Sequence, residues 1–340
     1  MEIGIYTFAD VGFGEPGVGA AQRIPEIIEE VVLADQVGLS VFGLGEHHRP
    51  EFGSPAAPVI LAAAASRTRQ IRLSSAVTVL SSDDPVRVFE QFTALDLVSQ
   101  GRAEIMAGRG AFVESFPLFG YDLNDYEALF EEKLELLLAL REDKPVTWSG
   151  RFRSPLENVV LHPRPVQQRL PVWRAVGGTP ESVVKAAQAG IPMALAMLGG
   201  KLRQFAPQFE LYRRALAHYG HAPQPAAITT HGFVAPTTRE AADLYFDGDS
   251  ALMNRVAVER GMPPMRRADF EQKIQPDSAY LVGAPEDVAA KIVRMHELFG
   301  HQRTLIQLAV GSMLHQDIMQ AIELLGTRVL PLVRQQISRK

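Results

Sequence analysis

The stretch IRLSSAVTVLSSDDPVRVFEQFTALDLVSQGRAEIMAGRG, residues Ile71–Gly110, decides the fold class. Its apolar, β-branched start predicts a strand over Ile71–Leu80, and its end predicts a second strand over Ala103–Gly108. Between them the spacing predicts a helix over Pro85–Ser99, with Asp84 as its N-cap and proline in its first turn. A strand, a helix and a second strand with short connections are typical of a βαβ unit, whose strands are parallel.

The same alternation extends along the chain in both directions. The predicted strands are Ile3–Phe8, Val41–Gly45, Ile71–Leu80, Ala103–Gly108, Val172–Val176, Pro192–Leu198, Ala226–Val234 and Leu305–Gly311. The predicted helices are Arg23–Val37, Ala56–Ser66, Pro85–Ser99, Asp125–Arg141, Pro180–Ala189, Leu202–His218, Thr237–Arg260 and Gln316–Leu330, with an additional helix over Pro285–Phe299. Eight strand–helix units favour a closed (β/α)8 TIM barrel over an open sheet. The first unit also lacks the GxGxxG spacing of a dinucleotide-binding fold.

Two segments interrupt this alternation. Residues 142–171 are rich in proline, and residues 247–284 are polar with three prolines. Neither segment has enough apolar periodicity for a core of its own. We therefore expect one barrel domain over residues 1–340, with insertions at about 142–171 and 247–284.

Composition excludes several classes of function. The net charge is −5 and basic residues do not cluster, so we expect no nucleic-acid partner. No run of about 18 apolar residues occurs, so we expect no membrane partner, and the first residues do not resemble a secretion signal. The chain has no cysteine, which excludes disulfides and thiolate metal sites and fits a cytoplasmic location.

Three motifs follow predicted strands, where the active sites of TIM barrels lie. EHHRPEFG, residues 46–53, follows the second barrel strand, and GRG, residues 108–110, follows the fourth. GGTPES, residues 177–182, follows the fifth. We therefore expect all three at one end of the barrel.

The histidine pair His47–His48 has three interpretations: hydrogen bonding within its loop, a metal site, or an acid–base site. Neighbouring side chains on an extended backbone point to opposite faces, so joint coordination of one metal is the least favoured of these. An imidazole at a barrel mouth suits proton transfer or stabilisation of an anion.

The GGTPES and GRG motifs both suggest an anion site. Thr179 is a candidate N-cap and Ser182 falls in the first helical turn, so free N–H groups behind Gly177 and Gly178 would face a ligand. The alternative is that this motif only starts a helix, as GAPEDV at residues 283–288 does. Arg109, between two glycines, could reach the same place because its strand and that of GGTPES are consecutive.

The chain resembles the bacterial luciferase-like, FMN-dependent monooxygenase family nearly end to end. The resemblance rests on GLSVFGLGEHHRPEFGSP at residues 38–55, on the Ile71–Gly110 stretch, on YLVGAPEDVAAKI at 280–292 and on LLGTRVLPLVR at 324–334. It implies a (β/α)8 barrel, in agreement with the strand count. This chain departs from luciferase at Gly108, where luciferase has a reactive cysteine.

The resemblance also implies roles for individual residues. His47 matches the catalytic histidine, which handles a proton during oxygen transfer, and Glu46 and His48 would orient its loop. Ala76 and Val77 match the segment along the flavin ring, where luciferase has a cis peptide bond that is not followed by proline. The family's contacts to the FMN phosphate match Arg109, Gly177, Gly178 and Thr179 here. We add Ser182 because it falls in the first turn of the predicted helix.

The same resemblance implies the cofactor and the partners. We expect reduced FMN as co-substrate, a separate NAD(P)H:flavin reductase as its source, a small organic substrate and a homodimer. Two alternatives stay open: an oxidoreductase of the same fold that uses the deazaflavin F420, and a barrel that binds flavin without catalysis.

Overall fold

A computed structural model describes residues 1–12, 19–110, 112–259 and 261–338 of the chain. The strands are β1 (Glu2–Thr7), β2 (Val41–Leu44), β3 (Arg72–Ser75), β4 (Thr78–Val79), β5 (Ala103–Gly108), β6 (Val146–Trp148), β7 (Leu156–Val159), β8 (Val172–Val176), β9 (Met193–Ala196), β10 (Ala226–Val234), β11 (Leu281–Gly283) and β12 (Arg303–Gln307). The helices are α1 (Ala20–Gln36), α2 (Ala57–Ala65), α3 (Pro85–Ser99), α4 (Ser115–Phe119), α5 (Tyr126–Leu140), α6 (Pro180–Gln188), α7 (Ala206–His218), α8 (Thr238–Glu259), α9 (Arg267–Lys273), α10 (Pro285–Phe299), α11 (His315–Leu324) and α12 (Leu330–Ser338). A π-helical turn, Leu325–Val329, joins α11 to α12.

Eight parallel strands close into a barrel in the order β1, β2, β3, β5, β8, β9, β10, β12. Pairing of β12 with β1 closes the ring. The predicted (β/α)8 TIM barrel is confirmed, and each of the eight predicted strands is present with boundaries shifted by a few residues. The predicted strand Ile71–Leu80 is split into β3 and β4 at Ala76–Val77.

Alternation along the strands divides the core in two. Outward-facing side chains such as Ile3, Ile5 and Phe42 pack against the helices in the large apolar core. A smaller apolar layer fills the inside of the barrel and takes residues from different strands; it consists of Tyr6, Val41, Ala76, Met106, Trp173, Ala194, Ala227 and Leu305.

A buried ion pair closes the N-terminal end of the barrel. Arg303 at the start of β12 donates to Glu104 near the start of β5, with nitrogen–oxygen distances of 2.6 and 3.2 Å. These strands lie on opposite sides of the ring, and Arg303 also stacks on Trp173 at 4.3 Å. The ion pair lies at the opposite end of the barrel from the C-terminal ends of the strands, with the apolar layer above it.

The two predicted insertions differ in how they join the barrel. Within residues 142–171, β6 and β7 form a separate antiparallel pair. Within residues 247–284, α8 continues to Glu259, α9 follows, and β11 pairs with the end of β10. The sequence did not predict α4, α9 or β11, and the predicted end of the helix Thr237–Arg260 lies outside the described residues. No helix within the described ranges is long and apolar enough to cross a bilayer.

Candidate active site

A cavity of about 1140 Å³ opens at the C-terminal ends of the barrel strands. Its wall is largely apolar, and it includes residues from β1, β5, β8, β9, β10 and β12 and from the segment 262–273. Of the predicted site residues, the cavity brings together His47, Ala76, Val77, Arg109 and Gly177. The cavity wall does not include the other three predicted residues, which follow Gly177 in the sequence: Gly178, Thr179 and Ser182.

His47 occupies an aromatic cage at the mouth of the barrel. Its ring centroid lies 4.6 Å from that of Phe8, 4.4 Å from Phe52 and 4.9 Å from Phe112. The residue is only 9% exposed. Burial, together with the nearby charges of Arg49 and His48, lowers the pKa of His47 to about 3. The imidazole is therefore neutral at ordinary pH, with one nitrogen able to donate and the other able to accept.

Local sequence explains how this cage forms. The His47 amide donates to the Ser54 carbonyl at 3.1 Å, which folds the EHHRPEFG loop back on itself. Gly45 precedes the loop, and a Cβ there would approach the Phe8 ring to 2.2 Å. Only glycine at this position lets Phe8 pack beneath His47.

His48 faces a different environment from His47. Its Nε2 lies 2.8 Å from Glu46 Oε1, and Glu46 Oε2 accepts a hydrogen bond from the Val79 amide at 3.3 Å. His48 is not part of the cavity wall, whereas Glu46 and His47 are. The Glu46–His48 pair therefore ties the loop to β4.

Ala76 and Val77 form an apolar ridge between β3 and β4, and the peptide bond between them is cis. Glycines on both neighbouring strands make room for this ridge. A Cβ at Gly43 would lie 2.8 Å from Ala76 Cβ, and a Cβ at Gly108 would lie 2.7 Å from Val77 Cγ2.

Arg109 leaves the end of β5 and forms an ion pair with Glu127. Its guanidinium also lies 5.4 Å from the ring of Tyr126, whose hydroxyl donates to the Gly110 carbonyl at 2.8 Å. Lys185 of α6 lies 3.8 Å from the same Glu127 carboxylate. Because β5 pairs with β8, Arg109 and the start of α6 lie side by side.

The start of α6 has the predicted capping geometry. Thr179 is the N-cap, and its Oγ1 accepts from the Ser182 amide at 3.4 Å. Gly178 has a φ of +98°, a left-handed conformation that favours glycine. Ser182 Oγ is buried and has no hydrogen-bond partner among the described residues, and a Cβ at Gly177 would enter open space. An open backbone with an unsatisfied buried hydroxyl behind it can accommodate an anion.

Sequence reasoning missed a second polar group of the cavity. His231 on β10 and Gln307 on β12 line the wall, and Asp249 of α8 contacts His231 from behind. The available signal was the pattern TTH within the predicted strand Ala226–Val234, since alternation places Thr229 and His231 on the inner face. Among the described residues no group of three histidine and carboxylate side chains could hold a metal ion.

Comparison with known proteins adds a family and several relatives. A family model described as luciferase-like monooxygenase matches residues 1–302. The uncharacterised protein y4wF of Sinorhizobium fredii is 31% identical over 62% of this chain and 60% of its own length. The alkanal monooxygenase alpha chain of Photorhabdus luminescens is 31% identical over 56% of this chain and 52% of its own. The N-acetyl-S-alkylcysteine monooxygenase of Bacillus subtilis is 27% identical over 84% of this chain and 86% of its own. The chain thus spans only half to three fifths of the first two relatives.

Solved structures share the barrel. The monooxygenase RslO1 of Streptomyces bottropensis has a TM-score of 0.86 at 27% identity, covering 97% of this chain and 99% of its own. Two more distant structures show the fold alone. The oxygenating constituent of 3,6-diketocamphane monooxygenase of Pseudomonas putida, solved in complex with FMN, has a TM-score of 0.79 at 21% identity and covers 98% of each chain. The F420-dependent tetrahydromethanopterin reductase of Methanopyrus kandleri has a TM-score of 0.73 at 17% identity, with 97% and 98% covered.

Proposed function

The chain belongs to the luciferase-like monooxygenase family, and from that premise we propose that it uses reduced FMN and oxygen to insert one oxygen atom into a small organic substrate. The observation that carries the proposal is the neutral, caged His47 on the wall of a large apolar cavity that also contains Arg109 and Gly177. A base on one part of the wall and anion-binding groups on another are what a phosphorylated flavin and its reaction require.

The residues present fit FMN at the phosphate end. The phosphate would be held by two kinds of group near the ends of β5 and β8. These are the Arg109 guanidinium, and the backbone of Gly177 and Gly178 with the hydroxyls of Thr179 and Ser182. The unpartnered Ser182 Oγ supports this assignment, because a buried hydroxyl without a partner costs free energy that a ligand oxygen would recover. When Arg109 binds the phosphate, Glu127 would lose its ion pair with Arg109 and keep its contact with Lys185.

The rest of the cavity fits the flavin ring and a substrate. Drug-sized ligands occupy pockets of roughly 300–1,000 Å³, so about 1140 Å³ leaves room for both molecules. The Ala76–Val77 ridge would lie along the ring. Reduced flavin supplies the electrons that activate oxygen, and Phe8, Phe52 and Phe112 would exclude water from that place. Neutral His47 would accept or return the proton that moves when oxygen is transferred.

A matched pair of ligands tests the phosphate assignment. Arg109→Ala should weaken FMN binding by about tenfold or more, since a charge-assisted hydrogen bond contributes about 1.5–3 kcal/mol. Riboflavin lacks the phosphate, so its affinity should hardly change. Fluorescence titration of both ligands measures the difference, and equal losses for the two would remove Arg109 from the phosphate site.

The use of reduced flavin as a co-substrate requires a source of that flavin, and the resemblance to luciferase-like barrels implies a dimer. We propose that a separate NAD(P)H:flavin reductase supplies it and that the enzyme is a homodimer. Light scattering on a sizing column should then give twice the chain mass of 37.3 kDa. A mass of one chain would contradict the dimer.

Oxygen uptake distinguishes the proposed function from its alternatives. Reduced FMN, regenerated by a flavin reductase, is supplied with aldehydes, ketones, sulfonates, thioethers and aromatics, and substrate-dependent oxygen uptake is measured. The proposal predicts uptake coupled to product for at least one class. FMN binding without such uptake would indicate a non-catalytic flavin barrel, and turnover with F420 that ignores oxygen would indicate a deazaflavin oxidoreductase.

A further inference from the structure

A histidine–aspartate pair lies at the cavity, and its histidine is on β10. In the barrel order, β10 is three strands away from β2, the strand that precedes His47. His231 Nδ1 lies 3.0 Å from Asp249 Oδ1, and the two residues are 3% and 0% exposed. The ring of Tyr280 stacks on that of His231 at 4.9 Å and 18°, and its hydroxyl donates to Asp249 Oδ1 at 3.3 Å. Because a carboxylate only accepts hydrogen bonds, the proton of His231 lies on Nδ1. In the neutral imidazole Nε2 is then an acceptor, and the contact with Asp249 fixes the orientation of the ring on the cavity wall.

A hydrogen-bond donor lies next to this acceptor. Gln307 of β12 is in direct register with His231 of β10, so the two side chains point inward on strands about 4.8 Å apart. Gln307 is 1% exposed and lines the cavity, and its Nε2 has no partner among the described residues. A buried amide nitrogen without a partner indicates a missing acceptor. The His231–Gln307 pair therefore presents one acceptor and one unsatisfied donor side by side.

We propose that the His231–Gln307 pair binds and ionises the hydroxyl group of a phenol or an enol. This proposal rests on the proposed function, because it names the substrate class of the same cavity. The apolar wall around the pair suits the body of such a molecule. A hydroxyl group both donates and accepts, which matches His231 Nε2 and Gln307 Nε2–H.

The proton transfer balances within the pair. The substrate O–H bond breaks, its proton passes to His231 Nε2, and the electron pair stays on the substrate oxygen. Asp249 stabilises the imidazolium, as a carboxylate behind a catalytic histidine does. The oxyanion accepts from Gln307 Nε2–H and from the new Nε2–H. Delocalisation then makes a carbon of the phenolate or enolate nucleophilic, so that this carbon can attack an electrophilic oxygen donor.

The titratable groups near His231 belong to three elements and to the segment before β11. Burial holds the pKa values of the tyrosines above their usual range, so they stay protonated during this step. Lys273 Nζ lies 3.4 Å from the Tyr280 hydroxyl and continues the hydrogen-bonded chain behind Asp249. The groups are Asp249 and Tyr245 of α8, Tyr280 before β11, Lys273 of α9 and Tyr6 of β1.

The test uses 4-nitrophenol without flavin, because its phenolate absorbs visible light and its neutral form does not. The bound probe should ionise at a pH at least about one unit below that of the free probe, a tenfold preference for the phenolate. The ether 4-nitroanisole lacks the hydroxyl and should bind at least about tenfold more weakly. A cyclic 1,3-diketone is titrated in parallel to distinguish an enol site from a phenol site. If neither probe ionises more readily when bound, the proposal is overturned.

Variants separate ionisation from a structural role. His231→Gln should abolish the shift while 4-nitroanisole affinity stays within about threefold, and Asp249→Asn should reduce it. His218→Gln, at an exposed position on α7, and His47→Gln should both keep the shift. If the His231 variant does not fold, the affinities of the wild-type protein for 4-nitrophenol and 4-nitroanisole still show whether the site binds and ionises a hydroxyl group. Retention of the shift in folded His231→Gln would contradict the proposal.

This failure is distinct from failure of the proposed function. Ionisation of the probe without oxygen uptake from reduced FMN would overturn the function and leave the ionising site. Oxygen uptake with substrates that have no acidic hydroxyl, combined with no ionisation of either probe, would overturn only this inference.

Discussion

His47 and His48 are neighbours in the chain, yet their environments give them different chemistry. The ring of His47 is enclosed by three phenylalanines and borders the cavity, so it is neutral and close to any bound substrate. His48 pairs with Glu46 and anchors the loop. The phenylalanine cage and the Glu46 contact hold the two rings in these separate places.

Substitution of the two histidines should therefore have unequal effects. His47→Gln should lower kcat by about 100-fold or more, because proton transfer by a placed side chain contributes about 10²–10⁴-fold. Affinity for reduced FMN should change little. His48→Gln is the matched control and should retain kcat within about tenfold, as steady-state oxygen uptake would measure. A larger loss from His48→Gln than from His47→Gln would reverse the assignment.

The buried neutral state of His47 also predicts a pH dependence of stability. Its pKa is lowered from 6.5 to about 3, so below pH 6.5 the unfolded chain binds a proton that the folded chain does not. Stability should thus fall as pH falls from 6.5 towards 3, by about 1.4 kcal/mol per pH unit for this group once the unfolded histidine is protonated.

Urea denaturation of wild type and His47→Gln between pH 7 and pH 4 measures this contribution. The variant should lose less stability over that range, and the difference should grow as pH decreases. Buried His301, whose pKa is also lowered to about 3, is present in both proteins and cancels. Parallel curves would show that His47 is protonated in the folded protein.

The two adjacent glycines before α6 are expected to have different roles: Gly178 allows the backbone conformation, and Gly177 leaves room for a ligand. Gly178 has a positive φ, whereas a Cβ at Gly177 meets nothing within 4 Å. Gly178→Ala should lower the free energy of unfolding by about 1–2 kcal/mol. Gly177→Ala should leave stability within about 0.5 kcal/mol and weaken FMN binding by about tenfold, because its methyl group occupies the proposed phosphate site. Equal effects of the two changes on both measurements would contradict this division.

Most barrel elements could be predicted because each has a local signal. Asp84 accepts from the amides of Val86 and Arg87 at 2.9 and 3.2 Å, and this cap starts α3 where the sequence places it. Strand β11 has only three residues, and its pairing with β10 is a long-range contact with no local pattern. The His231–Asp249 contact joins a strand to the middle of α8, so it too depends on tertiary packing. His47 was found because its motif is contiguous, whereas the second polar group is assembled from three elements, β10, β12 and α8.

At the scale of the whole molecule, the ion pair at the N-terminal end links opposite sides of the barrel. Glu104→Gln should lower the free energy of unfolding by about 3 kcal/mol, because it leaves the buried Arg303 charge with the partly exposed carboxylate of Glu2 as its remaining ion-pair partner. Arg72→Met is the matched control: Arg72 also contacts Glu104, at 3.0 Å, but its side chain is 41% exposed. That change should cost less than about 1 kcal/mol. Urea denaturation compares the two, and equal losses would mean that burial does not set the strength of this network.

Groups expected to stabilise the barrel and groups expected to take part in the reaction thus lie at opposite ends of its axis. Glu104 and Arg303 close one end, the apolar layer fills the middle, and the cavity with His47 and His231 occupies the other. Because the apolar layer lies between the two ends, substitutions at the closed end should change unfolding without changing ligand affinity.

Anaerobic titration of the wild-type protein with reduced FMN, followed by calorimetry and compared with reduced F420 under the same conditions, distinguishes the proposed FMN enzyme from the F420-dependent alternative. We expect one site per chain for reduced FMN and an affinity for F420 at least about tenfold weaker. Absence of binding by reduced FMN, or a preference for F420, would contradict this expectation.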